Sequence, residues 1–189
     1  MSEHTEEKKA EKNEWMEWLI AILIAFVIAA IVRIFMFSAI MVDGISMMPT
    51  LEDGDKMIAN KISYTIGEPK RFDIIVFNAN PEEKYIKRVI GLPGDKVEYR
   101  DDVLYINGEA QDEPYLEQLK ATTEGTLTGD FTLEEMTGEQ TIPEGYLFVM
   151  GDNRRNSTDS RHIGLIPYEE VIGKTNFIYW PIDNGGRVQ

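Results

Sequence analysis

The chain has 189 residues, no cysteine and two histidines, and its 19 basic and 33 acidic side chains give a formal net charge of −14. The length fits one domain with an appendage. The counts exclude disulfides, thiolate zinc sites, cysteine nucleophiles and multi-histidine metal sites. Because phosphate binding needs a basic surface, the acidic balance argues against a nucleic-acid partner. We therefore expect neither a metal nor nucleic acid.

A continuous apolar segment, WLIAILIAFVIAAIVRIFMF, runs from position 18 to 37 with Arg33 as its single charge. About 20 helical residues match the hydrocarbon thickness of a bilayer. Trp15 and Trp18 lie at one end, where interfacial tryptophans are enriched. We expect a single transmembrane anchor over residues 15–38.

Two other interpretations of the apolar segment are weaker. A buried core helix would carry its apolar residues on one stripe, whereas here they surround the helix. A cleaved signal peptide would have a shorter apolar run and an A-x-A site after it. The charged residues 1–14 before the anchor predict a disordered tail. The basic residues on the two sides of the segment nearly balance, so they do not set its orientation.

Residues 39–189 show short apolar runs between turn signals, a pattern typical of an antiparallel sandwich or barrel-like sheet. The runs are KMIANKISYTIG, FDIIVFN, YIKRVIGLPGD, KVEYRDDVLYINGE, GYLFVMGDN and TNFIYWPID. Asp101-Asp102 and Asn107-Gly108 predict two tight hairpin turns. The acidic segment 108–142, rich in Thr, Glu and Gly, predicts a small inserted subdomain. The expected fold class is mainly β.

Ser46, in the segment GISMMPTL at 44–51, is a candidate nucleophile. A serine hydroxyl needs a base within hydrogen-bond reach and donors for the oxyanion. Outside the tail the one available histidine is His162, with Asp152 or Asp159 as its orienting partner. Nothing in the spacing favours such a set, and a lone histidine is more often structural.

The segment YIKRVI at 85–90 offers a lysine base instead. Alternation along a strand puts Tyr85 and Lys87 on one face and Arg88 on the other, so one basic side chain points inward unless both faces are wet. A buried lysine can lose its proton, whereas an arginine keeps its charge. At its ordinary pKa only about one lysine in a few thousand is neutral at pH 7. Apolar burial must therefore lower the pKa of Lys87 by several units, and a lysine on a solvated face is the alternative.

The polar segment GDNRRNSTDSRHIGLIP, at 151–167, follows an apolar strand directly. Loops on rigid sheets often carry binding and catalytic groups, although a solvated loop has the same composition. Asp159 and Arg161 are close enough in sequence to pair, and Ser157 is a candidate hydrogen-bond partner for a lysine amine.

Five segments together resemble a type I signal peptidase, in the order of that family. They are SMMPTL (46–51), GDKMIANKISY (54–64), RFDIIVF (71–77), YIKRVIGLPGD (85–95) and GDNRRNSTDSR (151–161). With the anchor, the resemblance covers nearly the whole chain. It implies a membrane-bound serine endopeptidase that removes signal peptides from preproteins and needs no metal or cofactor. It also implies a mainly antiparallel β domain with a smaller inserted β subdomain.

The resemblance implies a role for each matched residue. Ser46 is the nucleophile, Lys87 is the general base as a neutral amine, and Ser157 orients that amine. The other matched residues are Asp159 and Arg161 as an ion pair, Gly151, Asp152 and Asn153 as the entry to the loop, and Met47 and Pro49 beside the nucleophile. The residues just before Ser46, Gly44 and Ile45, and the strand around Tyr85 are expected to pair with an extended substrate in the cleft.

One position departs from some members, which have an oxyanion-binding serine two residues before the nucleophile, where this chain has Gly44. The backbone N–H of Ser46, with a second backbone N–H or a water, would then form a weaker or different oxyanion hole. Lys87 differs from the histidine found in the related enzymes of the endoplasmic reticulum and of some spore-forming bacteria. The single anchor and short insert resemble enzymes of Gram-positive bacteria. That resemblance implies a plasma-membrane protein with residues 1–14 in the cytoplasm and residues 39–189 outside.

Two rival functions share part of the pattern. A self-cleaving repressor-type peptidase uses the same pair of residue types, but the membrane segment and the lack of a DNA-binding segment argue against it. A non-catalytic, membrane-anchored β scaffold would not need the candidate site residues. Those residues are Ser46, Lys87, Ser157, Asp159 and Arg161, and all of them are intact.

Overall fold

The computed structural model describes residues 3–61 and 67–188, with first-helix side chains described from Trp15 onward except at positions 31, 34 and 35. The helix, α1, spans Glu3–Met36. The charged tail predicted to be disordered is part of α1, because Glu, Lys and Ala are good helix formers and the following apolar turns supply the nucleus. In the part of the chain that was described, no helix has the length and hydropathy needed to cross a membrane.

Residues 1–37 and 38–189 form two compact units, and the second is built of strands. The strands are β1 Phe37–Met41, β2 Lys56–Asn60, β3 Ile74–Asn78, β4 Lys84–Gly91, β5 Val97–Arg100, β6 Val103–Ile106, β7 Glu109–Gln111, β8 Phe131–Thr132, β9 Tyr146–Met150, β10 Ile166–Pro167, β11 Val171–Trp180 and β12 Gly186–Arg187. They confirm the mainly β fold expected from the alternating runs. Part of the predicted KMIANKISYTIG strand, at 62–66, lies outside the described residues.

The larger sheet has the strand order β1-β2-β11-β3-β4-β9-β10, with β12 paired to β11. The pairs β3–β4, β4–β9 and β11–β3 are antiparallel. Apolar clusters cover both faces at its centre. One cluster contains Ile74 and Val76 of β3, and the other contains Ile75 and Phe77 of the same strand. A strand in this position has no wet face.

The smaller sheet has the order β7-β6-β5-β8 and is inserted in the chain between β4 and β9. Both predicted turns are present, because Asp101 and Asp102 have φ of 52° and 61° and Asn107 and Gly108 have φ of 54° and 86°. Positive φ at both central residues suits the twist of a two-residue hairpin. The sheet begins at Val97, earlier than the predicted start at 108, because its first hairpin has the same alternating pattern as the main sheet.

Short helices complete the inserted region and the loop that follows β9. They are α2 Glu117–Thr122, α3 Leu133–Thr137, α4 Ser160–Ile163 and a 3-10 turn at Pro114–Leu116. A third apolar cluster joins the two sheets, with Tyr99 and Phe131 from the smaller sheet packed near Phe148 of β9. The two sheets therefore share a core.

Candidate active site

Ser46 lies on a tight turn between β1 and β2. The N–H of Met48 donates to the carbonyl of Ile45 at 3.1 Å, and Met47 is buried in the core beneath the turn. From the loop after β9, the N–H of Asn153 donates to the carbonyl of Ser46 at 3.0 Å. The Asn153 side chain donates to the Ile45 carbonyl at 3.1 Å. The main chain on both sides of the Ser46 hydroxyl is thus held by the core and by Asn153.

Lys87, on β4, points its amine at the Ser46 hydroxyl. The distance from Nζ to Oγ is 2.7 Å, and the amine also donates to the carbonyl of Ile86 at 3.1 Å. Only 3% of Lys87 is exposed. Burial lowers the pKa of Lys87 from 10.5 to about 8, against the opposing influence of the Asp159 and Asp152 carboxylates. The amine therefore has a substantial neutral population near neutral pH.

Two ion pairs neutralise the carboxylates around Lys87. Arg88 and Asp152 are both fully buried and form two parallel hydrogen bonds of 2.9 and 2.7 Å. Arg161 donates twice to Asp159, at 2.8 Å each. Burial by itself raises the pKa of Asp159, but the bonds from Arg161 and the N–H of Gly151 lower it below its ordinary value. Asp159 and Arg161 thus form an ion pair in the structure.

The Ser157 hydroxyl oxygen is buried beside the site, but no hydrogen bond joins it to Lys87 among the described residues. Its Oγ makes no hydrogen bond of good geometry to the described residues, and it lies near Asp159, whose pKa it helps to lower. The expected orienting bond from Ser157 to the lysine amine is therefore absent among these contacts. Gly151 separates Ser157 from the Ser46 main chain. A methyl group at Gly151 would overlap both the Ser157 hydroxyl and the Ser46 carbonyl oxygen.

A cleft of about 510 Å³ opens over Ser46 and Lys87. Its walls include Gly44, Ile45, Met47 and Tyr85, together with β1 residues from Ser38 onward, Lys84, Asn156 and Thr158. Pro49 does not line this cleft and borders a separate cavity with Thr50 and Glu52. The turn after Ser46 accounts for the difference, because the Leu51 N–H bonds the Met47 carbonyl at 3.0 Å and carries Pro49 away.

The histidine alternative is not supported by the geometry. The His162 side chain is 59% exposed, and its Nδ1 lies 4.0 Å from Asp159, a carboxylate already bound twice by Arg161. Ser46 has Lys87 as its hydrogen-bond partner instead. Among the described side chains, no three His, Asp or Glu residues are grouped to hold a metal.

Residues 15–180 match the family described as signal peptidase, peptidase S26. The chain belongs to this family. It is 51% identical over 178 residues to a signal peptidase I of Bacillus caldolyticus, a match covering 94% of this chain and 95% of the relative. It is 45% identical over 175 residues to a signal peptidase IB of Staphylococcus aureus, covering 90% and 92% of the two chains.

A solved structure gives the same family relationship. The crystal structure of a signal peptidase I from Enterococcus faecalis is 49% identical, with a TM-score of 0.54. The match covers 58% of this chain and 97% of the solved chain. The resemblance inferred from five short segments is confirmed by these matches, as is the identification of the chain as a serine endopeptidase of the S26 family.

The sequence left two parts of the site unrecognised. Arg88, which the sequence left as either an ion-pair partner or a surface group, is buried next to Lys87 and paired with Asp152. Asn153 was assigned only to the loop entry, whereas it binds the main chain of Ser46 and Ile45. The sequence signal for the burial of Arg88 was its place beside Lys87 inside an apolar run, because a central strand buries the residues on both of its faces.

Proposed function

We propose that this signal peptidase cleaves signal peptides from secreted preproteins with Ser46 as nucleophile and Lys87 as general base. The observation that carries the proposal is the 2.7 Å contact from Lys87 Nζ to Ser46 Oγ, in a place where burial lowers the lysine pKa to about 8. A neutral amine at that distance is within reach of the hydroxyl proton.

The reaction follows from this pair. Lys87 accepts the Ser46 proton while Oγ forms a bond to the scissile carbonyl carbon, whose π electrons move to its oxygen. When that oxyanion collapses, the C–N bond breaks and the leaving amine takes the proton from Lys87. The neutral lysine then removes a proton from water, the hydroxide attacks the acyl ester, and Ser46 leaves with the returned proton.

The oxyanion needs donors that Gly44 does not supply through a side chain. The Gly44 N–H is bound to the Asp53 carboxylate at 2.8 Å. The backbone N–H of Ser46 remains as the proposed donor, with a second backbone N–H or a water beside it. The turn that fixes Ser46 and the two bonds from Asn153 would aim this N–H before substrate arrives.

An extended substrate segment fits the cleft by strand pairing. One wall is β1, which stands at one end of the strand order, and another is formed by Tyr85, Ile86 and Lys87. Main-chain pairing gives affinity for any extended peptide, while small pockets select its side chains. The short neutral side chains of a signal-peptide cleavage site suit a cleft lined by Ile40, Val42 and Ile86.

The proposed arrangement in the cell has residues 1–14 in the cytoplasm, residues 15–38 as a single anchor, and residues 39–189 outside the plasma membrane. Its support is the apolar segment with exposed side chains such as Trp18, Leu23 and Phe26, each at least 62% exposed. A lipid bilayer would cover them.

A labelling experiment tests this orientation. Because the chain has no cysteine, a single cysteine placed at exposed Glu144 would be the one site for a membrane-impermeant maleimide. We expect labelling in intact cells, and protection from labelling would contradict this orientation.

A cleavage assay tests the chemistry. The detergent-solubilised full chain is mixed with a preprotein, and product is compared for wild type, Ser46→Ala and Lys87→Ala. We expect both variants to lose cleavage, while Lys70→Ala, at an exposed position, keeps it. Equal cleavage by wild type and Ser46→Ala would sink the mechanism. No cleavage by wild type would favour the non-catalytic scaffold.

A further inference from the structure

A buried polar cluster connects the loop that follows β9 with the inserted region. Arg154, 2% exposed, donates from Nη2 to the Glu113 carboxylate at 2.5 Å, and Glu113 is 6% exposed. Two phenols donate to the same carboxylate oxygen, Tyr99 at 2.5 Å and Tyr115 at 2.8 Å. Arg154 also donates to Tyr99 and, at 3.4 Å, to the Thr128 hydroxyl. The inserted region thus supplies the groups that surround this arginine.

Two neighbouring arginines make further contacts with the same region. Arg155 donates to the backbone carbonyls of Thr126 and Glu124, at 3.1 and 2.8 Å. The guanidinium of Arg88 lies 3.8 Å from the centroid of the Tyr115 ring. Tyr115 therefore contacts both the Glu113 carboxylate and the strand that carries Lys87.

Two of these arginines, Arg154 and Arg88, are each one residue from a group that contacts the nucleophile. Arg154 follows Asn153, whose backbone and side chain hold the carbonyls of Ser46 and Ile45. Arg88 follows Lys87 and pairs with Asp152, which precedes Asn153. A shift of Arg154 therefore moves Asn153 directly, and through it the position of Ser46 relative to Lys87.

The cluster is poorly built for net stability. Burying a charge pair costs desolvation free energy. The attraction between the two charges offsets this cost only when every polar atom of the pair also has a hydrogen-bond partner. Here Arg154 Nε is buried without a hydrogen-bond partner among the described residues. Glu113 Oε2 also lacks a hydrogen bond and lies 3.9 Å from the Lys120 amine. What such a pair provides is a fixed geometry, because the two charged groups have few other positions available in a buried site.

We infer that Glu113 is a positioning residue for the signal-peptide cleavage reaction, acting through Arg154 and Asn153 on the main chain of Ser46. The inserted region thereby sets the distance between nucleophile and base, although none of its residues lines the cleft. The inference rests on the proposed roles of Ser46 and Lys87. A positioning role for Glu113 differs from a purely structural role. In a purely structural role, replacing Glu113 would reduce only the fraction of folded molecules and not the activity of each folded molecule.

The test is Glu113→Gln in the detergent-solubilised full chain, with kcat and KM measured on a preprotein and active sites counted with a serine-directed covalent probe. We expect kcat per counted site to fall by about 10- to 100-fold, because small misplacements near a reaction cost that much. KM should stay within about threefold, the pattern of an interaction that acts in the transition state. Unchanged kcat per counted site, with fewer counted sites, would overturn the inference.

Two further variants keep the test decisive. Glu98→Gln removes an exposed carboxylate of the same small sheet, paired with Arg100 at 3.4 Å, and is expected to leave kcat unchanged. If Glu113→Gln does not fold, Tyr115→Phe removes the 2.8 Å bond to Glu113 and the 3.3 Å bond from Arg154, with a smaller expected fall in kcat per site. No fall would count against the inference. Ser46→Ala separates the two proposals. Full activity of Ser46→Ala refutes the mechanism, whereas an inactive Ser46→Ala beside a fully active Glu113→Gln refutes only the positioning role.

Discussion

In the proposed mechanism Lys87 accepts a proton from Ser46 only when its amine is neutral, so the rate of acylation should follow the neutral fraction of that amine. With the pKa at about 8, the neutral fraction is about 1% at pH 6, about 9% at pH 7 and about half at pH 8. We therefore expect kcat/KM to rise by about 50-fold from pH 6 to pH 8 and to level off above about pH 9. An unburied lysine would instead give a tenfold rise per pH unit up to about pH 10.

The assay is preprotein cleavage by the solubilised full chain across this pH range at constant ionic strength. Because kcat/KM reports groups of the free enzyme, its inflection is compared with the pKa of Lys87. Lys70→Ala, which alters an exposed lysine, controls for general charge effects and should give the wild-type profile. A rate that is flat between pH 6 and pH 8, or that still climbs tenfold per unit above pH 9, would refute the assignment of Lys87 as a base tuned by burial.

Two other predictions concern stability. Lys87→Met removes activity but raises the free energy of unfolding at pH 7 by about 1 to 3 kcal/mol. The pKa of Lys87 is about 8 in the folded state against 10.5 for a free lysine, so the protonated lysine destabilises the folded protein at this pH. The two hydrogen bonds of the Lys87 amine offset part of that destabilisation. As pH rises from about 8 to 10.5, the stability of the wild type approaches that of Lys87→Met, because the lysine is neutral in both the folded and the unfolded states. Equal stability of the two proteins in urea denaturation at pH 7 would contradict this prediction. Gly151→Ala lowers both activity and stability, by about 1 to 3 kcal/mol in thermal or urea denaturation, because the methyl group meets the Ser46 carbonyl oxygen and the backbone must move. Gly129→Ala, where the methyl group meets no atom within 4 Å, is the matched control, and similar losses in both variants would rule out this steric cause.

Local patterns predicted much of the fold and the central pair of the site. The hairpin turns follow from Asp101-Asp102 and Asn107-Gly108, because the residue types that tolerate positive φ are few. Alternation left open which of Lys87 and Arg88 faces inward, and the resemblance assigned Lys87 as the base. The order of the five family segments then added Ser46.

The remaining features depend on contacts that no local pattern encodes. Alternation predicted opposite environments for Lys87 and Arg88, but both are buried because apolar clusters cover the two faces of the central sheet. The partner of Arg88 is 64 residues away, and Glu113 lies 41 residues before Arg154. In a segment rich in acidic residues, nothing marks Glu113 as the carboxylate that becomes buried.

The paired charges around Lys87 have a consequence for the energetics of catalysis. Asp152 and Asp159 are each matched by an arginine, so the surroundings of the neutral amine carry almost no net charge. When the proton moves from Ser46 to Lys87, a cation and an oxyanion form together a few ångströms apart. The pocket therefore stays electrically balanced throughout the step. Dissolved ions screen charge interactions over about 10 Å at 0.1 M, so they hardly weaken the attraction between two charges that are a few ångströms apart. The chemical step is thereby insulated from the salt content of the surrounding medium.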